Sequence, residues 1–214
     1  MNAVDLMTTE SYGSNPELVL ILAHGAGAPA DSGFMVELAQ ALEEHGISVV
    51  RFEFPYMQKR RIDGRKRPPD RQPKLLECFA EVVHQVRREV PEHTRVLVGG
   101  KSMGGRMASV LATDGPDVDG VVAFGYPFHP PGRLDKWRTG HFQALKCPML
   151  IVQGSRDPFG KAGELEGLPE TWPTVRLYWL EGGNHDFQPL ARLQSSQSAL
   201  IAEAARQAAR FAGA

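Results

Sequence analysis

Arg95-Val-Leu-Val-Gly-Gly-Lys-Ser-Met-Gly-Gly-Arg-Met-Ala-Ser-Val-Leu-Ala112 decides the fold of this chain. An apolar strand pattern over residues 95 to 99 runs straight into a helix-like segment at 105 to 112, and Gly100-Lys-Ser-Met-Gly104 lies between them as a G-x-S-x-G run. A strand driven directly into a helix needs a sharp turn. That turn pushes the Ser102 hydroxyl out of the sheet, while the flanking glycines let the two backbones approach without a Cβ clash.

A neutral serine is a weak nucleophile, so chemistry at Ser102 requires a base, a group that orients the base, and donors for a developing oxyanion. Met149-Leu-Ile-Val152 is followed by Gln153-Gly-Ser-Arg-Asp157-Pro158, and Val175-Arg-Leu-Tyr-Trp-Leu180 by Glu181-Gly-Gly-Asn-His185. Each run places one polar residue just past a buried-strand pattern. Asp157 follows Ser102 by 55 residues and His185 follows Asp157 by 28, room each time for a helix and the next strand. Pro158 disfavours helical geometry at Asp157 and keeps that carboxylate on an extended loop. Asp186, adjacent to His185, is the weaker partner, because neighbouring side chains do not fold back readily onto one another. Leu18-Val-Leu-Ile-Leu-Ala-His24-Gly-Ala-Gly27 is a further buried strand ending in small residues. The N–H groups of Gly25 or Ala26, with that of Met103 at the helix start, are the expected oxyanion donors.

Continuous apolar runs recur at 18–23, 47–54, 95–99, 120–125, 148–153 and 175–180, the pattern of strands covered on both faces. Most are separated by helix-period segments, including Phe34, Leu38, Ala41 and Leu42, then Leu75, Phe79, Val82 and Val86, and last Leu200, Ile201, Ala204, Ala208 and Phe211. The alternation predicts an α/β fold with a mostly parallel sheet of about six or seven strands flanked by helices, with right-handed crossovers. Ligands of such sheets bind at the carboxyl ends of the strands, where all the residues named above fall. Loops 55–73 and 126–146 share that edge. The second has only 21 residues, enough for a short lid and a minimal cap, which predicts an open, shallow site.

At 214 residues the chain is long enough for one substantial core and short for two enzymatic domains, so residues 1–214 are read as a single domain. Its formal charge of −1 points to neither nucleic acid nor a membrane surface as partner. Met1 to Glu10 holds no basic, apolar leader, and no run approaches the roughly 18 apolar residues of a membrane span. Two cysteines, Cys78 and Cys147, make no disulfide framework and read as small buried residues of a reducing compartment. A cytoplasmic protein is the expectation. The seven histidines form no H-x-H or H-E-x-x-H pair, so no metal is expected, and no cofactor.

Two nucleotide motifs compete for the same residues. Counting back from Gly100-Lys-Ser102, a phosphate-binding loop needs glycine where Arg95 stands, and strand formers fill the interval. Gly25-Ala-Gly-Ala-Pro-Ala30 matches the dinucleotide pattern G-x-G-x-x-A, but Pro29 and Asp31-Ser-Gly33 start the helix after the glycines rather than within them. Lys59 to Arg71 carries seven basic and two acidic residues. Such runs are usually solvated; the functional expectation is that Arg61 or Arg65 holds an anionic group of a small-molecule substrate by paired hydrogen bonds. His129 and His141, after the fourth apolar run, are further pocket candidates.

Together, Ala23-His-Gly-Ala-Gly27, Arg51-Phe-Glu-Phe-Pro-Tyr-Met57, Arg67-Pro-Pro69, Gly99 to Arg106, Gly125-Tyr-Pro-Phe-His-Pro-Pro131, Arg138-Thr-Gly-His141, Gly154-Ser-Arg-Asp157 and Gly182-Gly-Asn-His185 resemble the α/β-hydrolase superfamily. The likeness spans roughly residues 17 to 190. More narrowly it is to a small uncharacterised branch of bacterial hydrolases, which is similar to the hydrolase-like domain of a scaffold subunit in the non-specific-lethal histone acetyltransferase complex. The resemblance implies the α/β-hydrolase fold and a catalytic triad of Ser102, His185 and Asp157, with the Met103 N–H in the oxyanion hole. The expected activity is that of a serine esterase acting on an ester or thioester through an acyl-enzyme. The alternative it carries is a non-catalytic interaction or scaffold domain.

Overall fold

The apolar runs become the centre of one sheet. The computed structural model describes residues 6–8, 16–168 and 171–214. Its strands are β1 (Leu6–Thr8), β2 (Leu18–Ala23), β3 (Ser48–Phe52), β4 (Arg95–Lys101), β5 (Gly120–Phe124), β6 (Met149–Gly154) and β7 (Val175–Leu180), in the order β1-β3-β2-β4-β5-β6-β7. β2 to β7 pair in parallel; β1 pairs antiparallel with β3 at the edge. The sequence had shown six of these strands, and β1, only three residues long, is too short to carry a pattern. Most of Met1 to Glu10, where no leader is expected, lies outside the described residues. Among those described, no helix is long and apolar enough to cross a membrane.

Side chains alternate along each central strand and feed two apolar layers. Val19, Ile21 and Ala23 pack with Val83, Val86 and Met107 on one side, whereas Leu18, Leu20 and Leu22 pack with Leu38, Leu42 and Ala205 on the other. The first layer lies under α3 (Gln72–Glu89) and α4 (Met103–Asp114), and the second under α1 (Gly33–Glu43) and α6 (Gln197–Ala212). Burial on both faces is why these strands read as continuous apolar runs. Cys78 and Cys147 are buried and unpaired in the first layer. Loss of solvation pushes the Cys78 thiol up to about 12 and raises that of Cys147.

Of the two segments expected as loops, one holds a helix and the other is irregular apart from a short turn at Phe142–Ala144. Residues Pro55–Asp63 form α2, with Pro55 at the helix start and Gly64 closing it at φ 70°. Both are ordinary helix-boundary signals that the density of charge had obscured. Segment 126–146, expected as a short lid, is anchored by buried Tyr126, Phe128 and Phe142; the Tyr126 ring packs on the other two, and those two pack with Trp172. Its tip at Leu134 is exposed. The remaining short helix, α5, covers Ala162–Leu165.

The serine turn depends on contact between α4 and β2. A Cβ on Gly104 would overlap the Ala23 carbonyl oxygen and stand 2.7 Å from that of His24, and one on Gly100 would stand 2.5 Å from the Ala23 oxygen. Backbone atoms set these limits, so no rotamer change relieves them. Gly104→Val is therefore expected to destabilise the protein by roughly 3 kcal/mol or more, read as a lowered urea midpoint.

Candidate active site

Ser102 occupies the single residue between β4 and α4, at φ 52° and ψ −113°. A side chain held there costs of order 1–3 kcal/mol, and the surroundings fix it. Its N–H donates to Phe124 O at 3.0 Å on β5, and its carbonyl accepts from Arg106 N at 3.1 Å in the first turn of α4. The hydroxyl is left at the carboxyl edge of the sheet.

His185 and Asp157 reach it from the loops after β7 and β6. His185 Nε2 lies 2.9 Å from Ser102 Oγ, and His185 Nδ1 lies 2.7 Å from Asp157 Oδ2. Because a carboxylate only accepts, the proton of the neutral imidazole sits on Nδ1, which leaves Nε2 to accept from the serine hydroxyl. Asp157 is fully buried, and three donors converge on it: His185 Nδ1 and Gln153 Nε2 (2.9 Å) on Oδ2, and Phe159 N (2.8 Å) on Oδ1. The Phe159 ring lies 4.5 Å from the imidazole, centroid to centroid. Asp186 points elsewhere, its Oδ1 at 3.4 Å from Lys101 Nζ.

Gln153 and His24 are structural partners that the sequence reading passed over. The fully buried Gln153 takes the Tyr126 N–H on its amide oxygen at 2.7 Å, which turns its nitrogen toward Asp157. One amide thus ties the loops after β5 and β6 together. Buried His24 accepts the Phe54 N–H at Nε2 (3.1 Å), so its Nδ1–H donates to Gly25 O at 2.6 Å. Tyr56 OH donates to Ala26 O at 2.9 Å. In a trans peptide the following N–H points opposite to the carbonyl, so the Ala26 N–H is directed away from the His24 ring that bonds Gly25 O. Gly25 passes beside the serine, where a Cβ on it would stand 3.8 Å from Ser102 Cβ. Met103 is the first residue of α4, and the N–H groups of a first helical turn have no intrahelical acceptor.

Burial lowers the pKa of His24 from its usual 6.5 and takes that of His141 down to about 4, with the Arg106 cation adding to the second shift. Between those limits the unfolded chain binds protons that the native state refuses. Stability is therefore expected to fall as pH drops from about 6.5 toward 4. Urea midpoints measured across that range check it, and a His141→Gln variant should show a shallower decline.

Residues 16–213 match the family described as an alpha/beta hydrolase domain. The chain belongs to the alpha/beta hydrolase domain family. An alpha-beta serine hydrolase homologue from Coxiella burnetii is similar to it with a TM-score of 0.71 and 20% identity, over 96% of this chain and 90% of that one. Dienelactone hydrolase from Anabaena variabilis matches with a TM-score of 0.69 and 22% identity, over 93% and 86% of the two chains. Est1E from Butyrivibrio proteoclasticus matches with 0.69 and 13% identity, over 96% and 92%. At these identities the likeness is one of fold.

Within this alpha/beta hydrolase domain, the two competing nucleotide motifs lose their geometry. α1 starts at Gly33, beyond the glycines of 25–27, and residues 95–101 are strand. The further pocket candidates are placed as follows. Arg61 is held by Glu53 at 2.6 Å and by Asp31 at 2.7 Å, and Glu53 also accepts the Ala30 N–H at 3.1 Å. This ion-pair network braces the loop before α1, so Arg61 has a structural duty the sequence did not reveal. Arg65 is exposed, with its backbone N–H on Asp63 Oδ1 at 3.0 Å. His129 is fully buried between Pro130 O (2.8 Å) and Glu164 Oε2 (3.2 Å), joining segment 126–146 to α5. His141 Nε2 meets Ser109 Oγ at 2.8 Å. Among the described residues, no three His, Cys, Asp or Glu side chains converge as a metal site requires.

Proposed function

We propose that this protein is a serine hydrolase that cleaves an ester-like bond, ester or thioester, of a small or medium acyl substrate. The observation that carries the reading is the unbroken hydrogen-bonded chain from Ser102 Oγ through His185 to Asp157, at 2.9 and 2.7 Å. In this reading Ser102 Oγ attacks the acyl carbon as His185 Nε2 takes its proton, while the buried Asp157 carboxylate keeps the imidazole oriented and offsets the imidazolium charge. The carbonyl oxygen becomes an oxyanion held by the Met103 N–H and by the Gly25–Ala26 loop. Collapse of the tetrahedral intermediate breaks the bond to the alcohol or thiol, which leaves with the proton from His185. Water then adds to the acyl-enzyme by the same route and frees the acid and Ser102.

Within the family we place the chain in the small bacterial branch whose motifs it resembles, working as a single domain on a soluble small molecule in the cytoplasm; two unpaired, buried cysteines support the compartment. A fluorophosphonate probe tests the chemistry. Stoichiometric adduct on Ser102, found by peptide mass mapping, is the expected result. Absence of labelling in folded protein would reject the hydrolase and favour a non-catalytic interaction domain.

A further inference from the structure

A buried cation next to the nucleophile takes no part in the chemistry proposed above. Lys101 ends β4, and its side chain is only 9% exposed. Lysine normally buries its stem and lifts its ammonium into water. Here the stem runs past Gly25, on which a Cβ would stand 3.7 Å from Lys101 Cγ, and Nζ lies 5.4 Å from the centroid of the Phe34 ring. Asp186 is its carboxylate partner, with Oδ1 at 3.4 Å and a side chain 64% exposed. Burial lowers the Lys101 pKa, and the carboxylates of Asp186 and Asp157 oppose that shift. Keeping an ammonium out of water is costly, and an apolar residue of similar shape would avoid the cost.

The pair joins the neighbours of the two reacting residues. Lys101 precedes Ser102 and Asp186 follows His185, so their contact is a second link between the same two turns, beside the Ser102–His185 hydrogen bond. The ammonium is also close to the imidazole: a Cβ on Gly125 would stand 3.3 Å from Lys101 Nζ, 3.1 Å from His185 O and 3.5 Å from His185 Nδ1. The turn that carries the base is not relaxed by itself. Phe187 stands at φ 59°, a conformation that bulky side chains rarely adopt, and its ring is fully buried against Phe34. Strain of this kind persists only where the surroundings hold it. Within the turn, Asn184 Oδ1 accepts from Asp186 N at 3.0 Å and from Gln188 N at 2.9 Å. From outside it, Gln197 Nε2 donates to Asp186 O at 2.7 Å, and Lys101 engages the Asp186 carboxylate.

We propose that Lys101 is a positioning residue: its ammonium, seated on Phe34 and bound to Asp186, fixes turn 184–187 so that His185 Nε2 stays on the Ser102 hydroxyl. The side chain touches no substrate and acts only through the base. Small displacements of such a group are expensive in rate, since proton transfer needs hydrogen-bond geometry. The assignment rests on Ser102 as the nucleophile and His185 as its base, and one of the readouts below needs no turnover, so the two can fail separately.

Wild type, Lys101→Met, Asp186→Asn, Asp186→Glu and the double variant Lys101→Met/Asp186→Asn are compared as full-length proteins. The readouts are kcat and KM for a p-nitrophenyl ester, the melting temperature, and the proton NMR signal of His185 Nδ1–H, assigned by its loss in His185→Gln. Lys101→Met should lower kcat by about tenfold or more with KM within about twofold of wild type. Its melting temperature should hold or rise, because an apolar chain of similar length replaces a buried charge and leaves Asp186 in solvent. A lysine that only supports the fold would not separate rate from stability in this way. Asp186→Asn should lower both kcat and the melting temperature, since it strands the ammonium, and Asp186→Glu should recover most of the kcat. The double variant should be no slower than Lys101→Met, as partners in one contact require. The Nδ1 proton signal should broaden through exchange with water in Lys101→Met. If Lys101→Met does not fold, the two Asp186 variants carry the comparison. A kcat within twofold of wild type in both Lys101→Met and Asp186→Asn, or kcat and melting temperature falling together in Lys101→Met, overturns the positioning role and leaves the hydrolase intact. Broadening of the signal in a protein whose wild type hydrolyses no ester and takes no fluorophosphonate would instead sink the nucleophile and keep the positioning role.

Discussion

Ser102→Ala is expected to lower kcat for a p-nitrophenyl ester by about 10⁴- to 10⁶-fold with little change in KM, because members of a triad act as a unit. The substitution removes one oxygen at a site where the backbone, not the side chain, is under strain. Alanine keeps the same φ of 52° and should leave stability nearly unaltered. Ser102→Gly abolishes turnover equally but frees the backbone, so it should also unfold at higher temperature, by up to about 1–3 kcal/mol. His185→Ala combined with Ser102→Ala should be no slower than either alone. Activity that survives in Ser102→Ala would remove the proposed nucleophile.

Asp157→Asn is expected to reduce kcat by about 10⁴-fold while the fold persists. The carboxylate receives donors on both oxygens, His185 Nδ1 and Gln153 Nε2 on Oδ2 and Phe159 N on Oδ1. An amide has a single accepting atom. If its oxygen faces His185 and Gln153, its NH2 opposes the Phe159 N–H; if it is reversed, the NH2 opposes Gln153 and forces the imidazole proton onto Nε2. In the second case the base presents a proton to Ser102 where it should accept one. Gln153→Glu, which sets a carboxylate beside Asp157 and removes its donor, should impair the same step; stopped-flow acylation measurements on both variants check this. Turnover by Asp157→Asn within tenfold of wild type would mean that the base is oriented by something else.

How far the sequence reveals such a site depends on whether a residue's partner is close along the chain or brought near only by folding. The central strands are covered on both faces and announce themselves as unbroken apolar runs, each ending in the polar residue that the carboxyl edge requires. Ser102, His185 and Asp157 could be named on that ground. β1 is too short for a pattern, and α2 was hidden because its charges outweighed Pro55 and Gly64 as signals. The ion-pair partners of Arg61 and His129 are not legible, because Glu53 and Asp31, or Glu164, sit on other elements. Gln153 had the opposite fate: it reads as the end of an apolar strand, and only folding puts it against Asp157.

The state of the two thiols has a practical bearing on the choice between an oxygen and a sulfur leaving group. Buried away from solvent, with Cys78 at about 12 and Cys147 also raised, neither presents thiolate to a reagent at neutral pH. A colorimetric disulfide that detects coenzyme-type thiols as they are released should therefore register product alone, without a blank from the folded protein. Continuous thioester measurements can then be run beside oxygen-ester ones on the unaltered polypeptide, with no need to engineer its cysteines away.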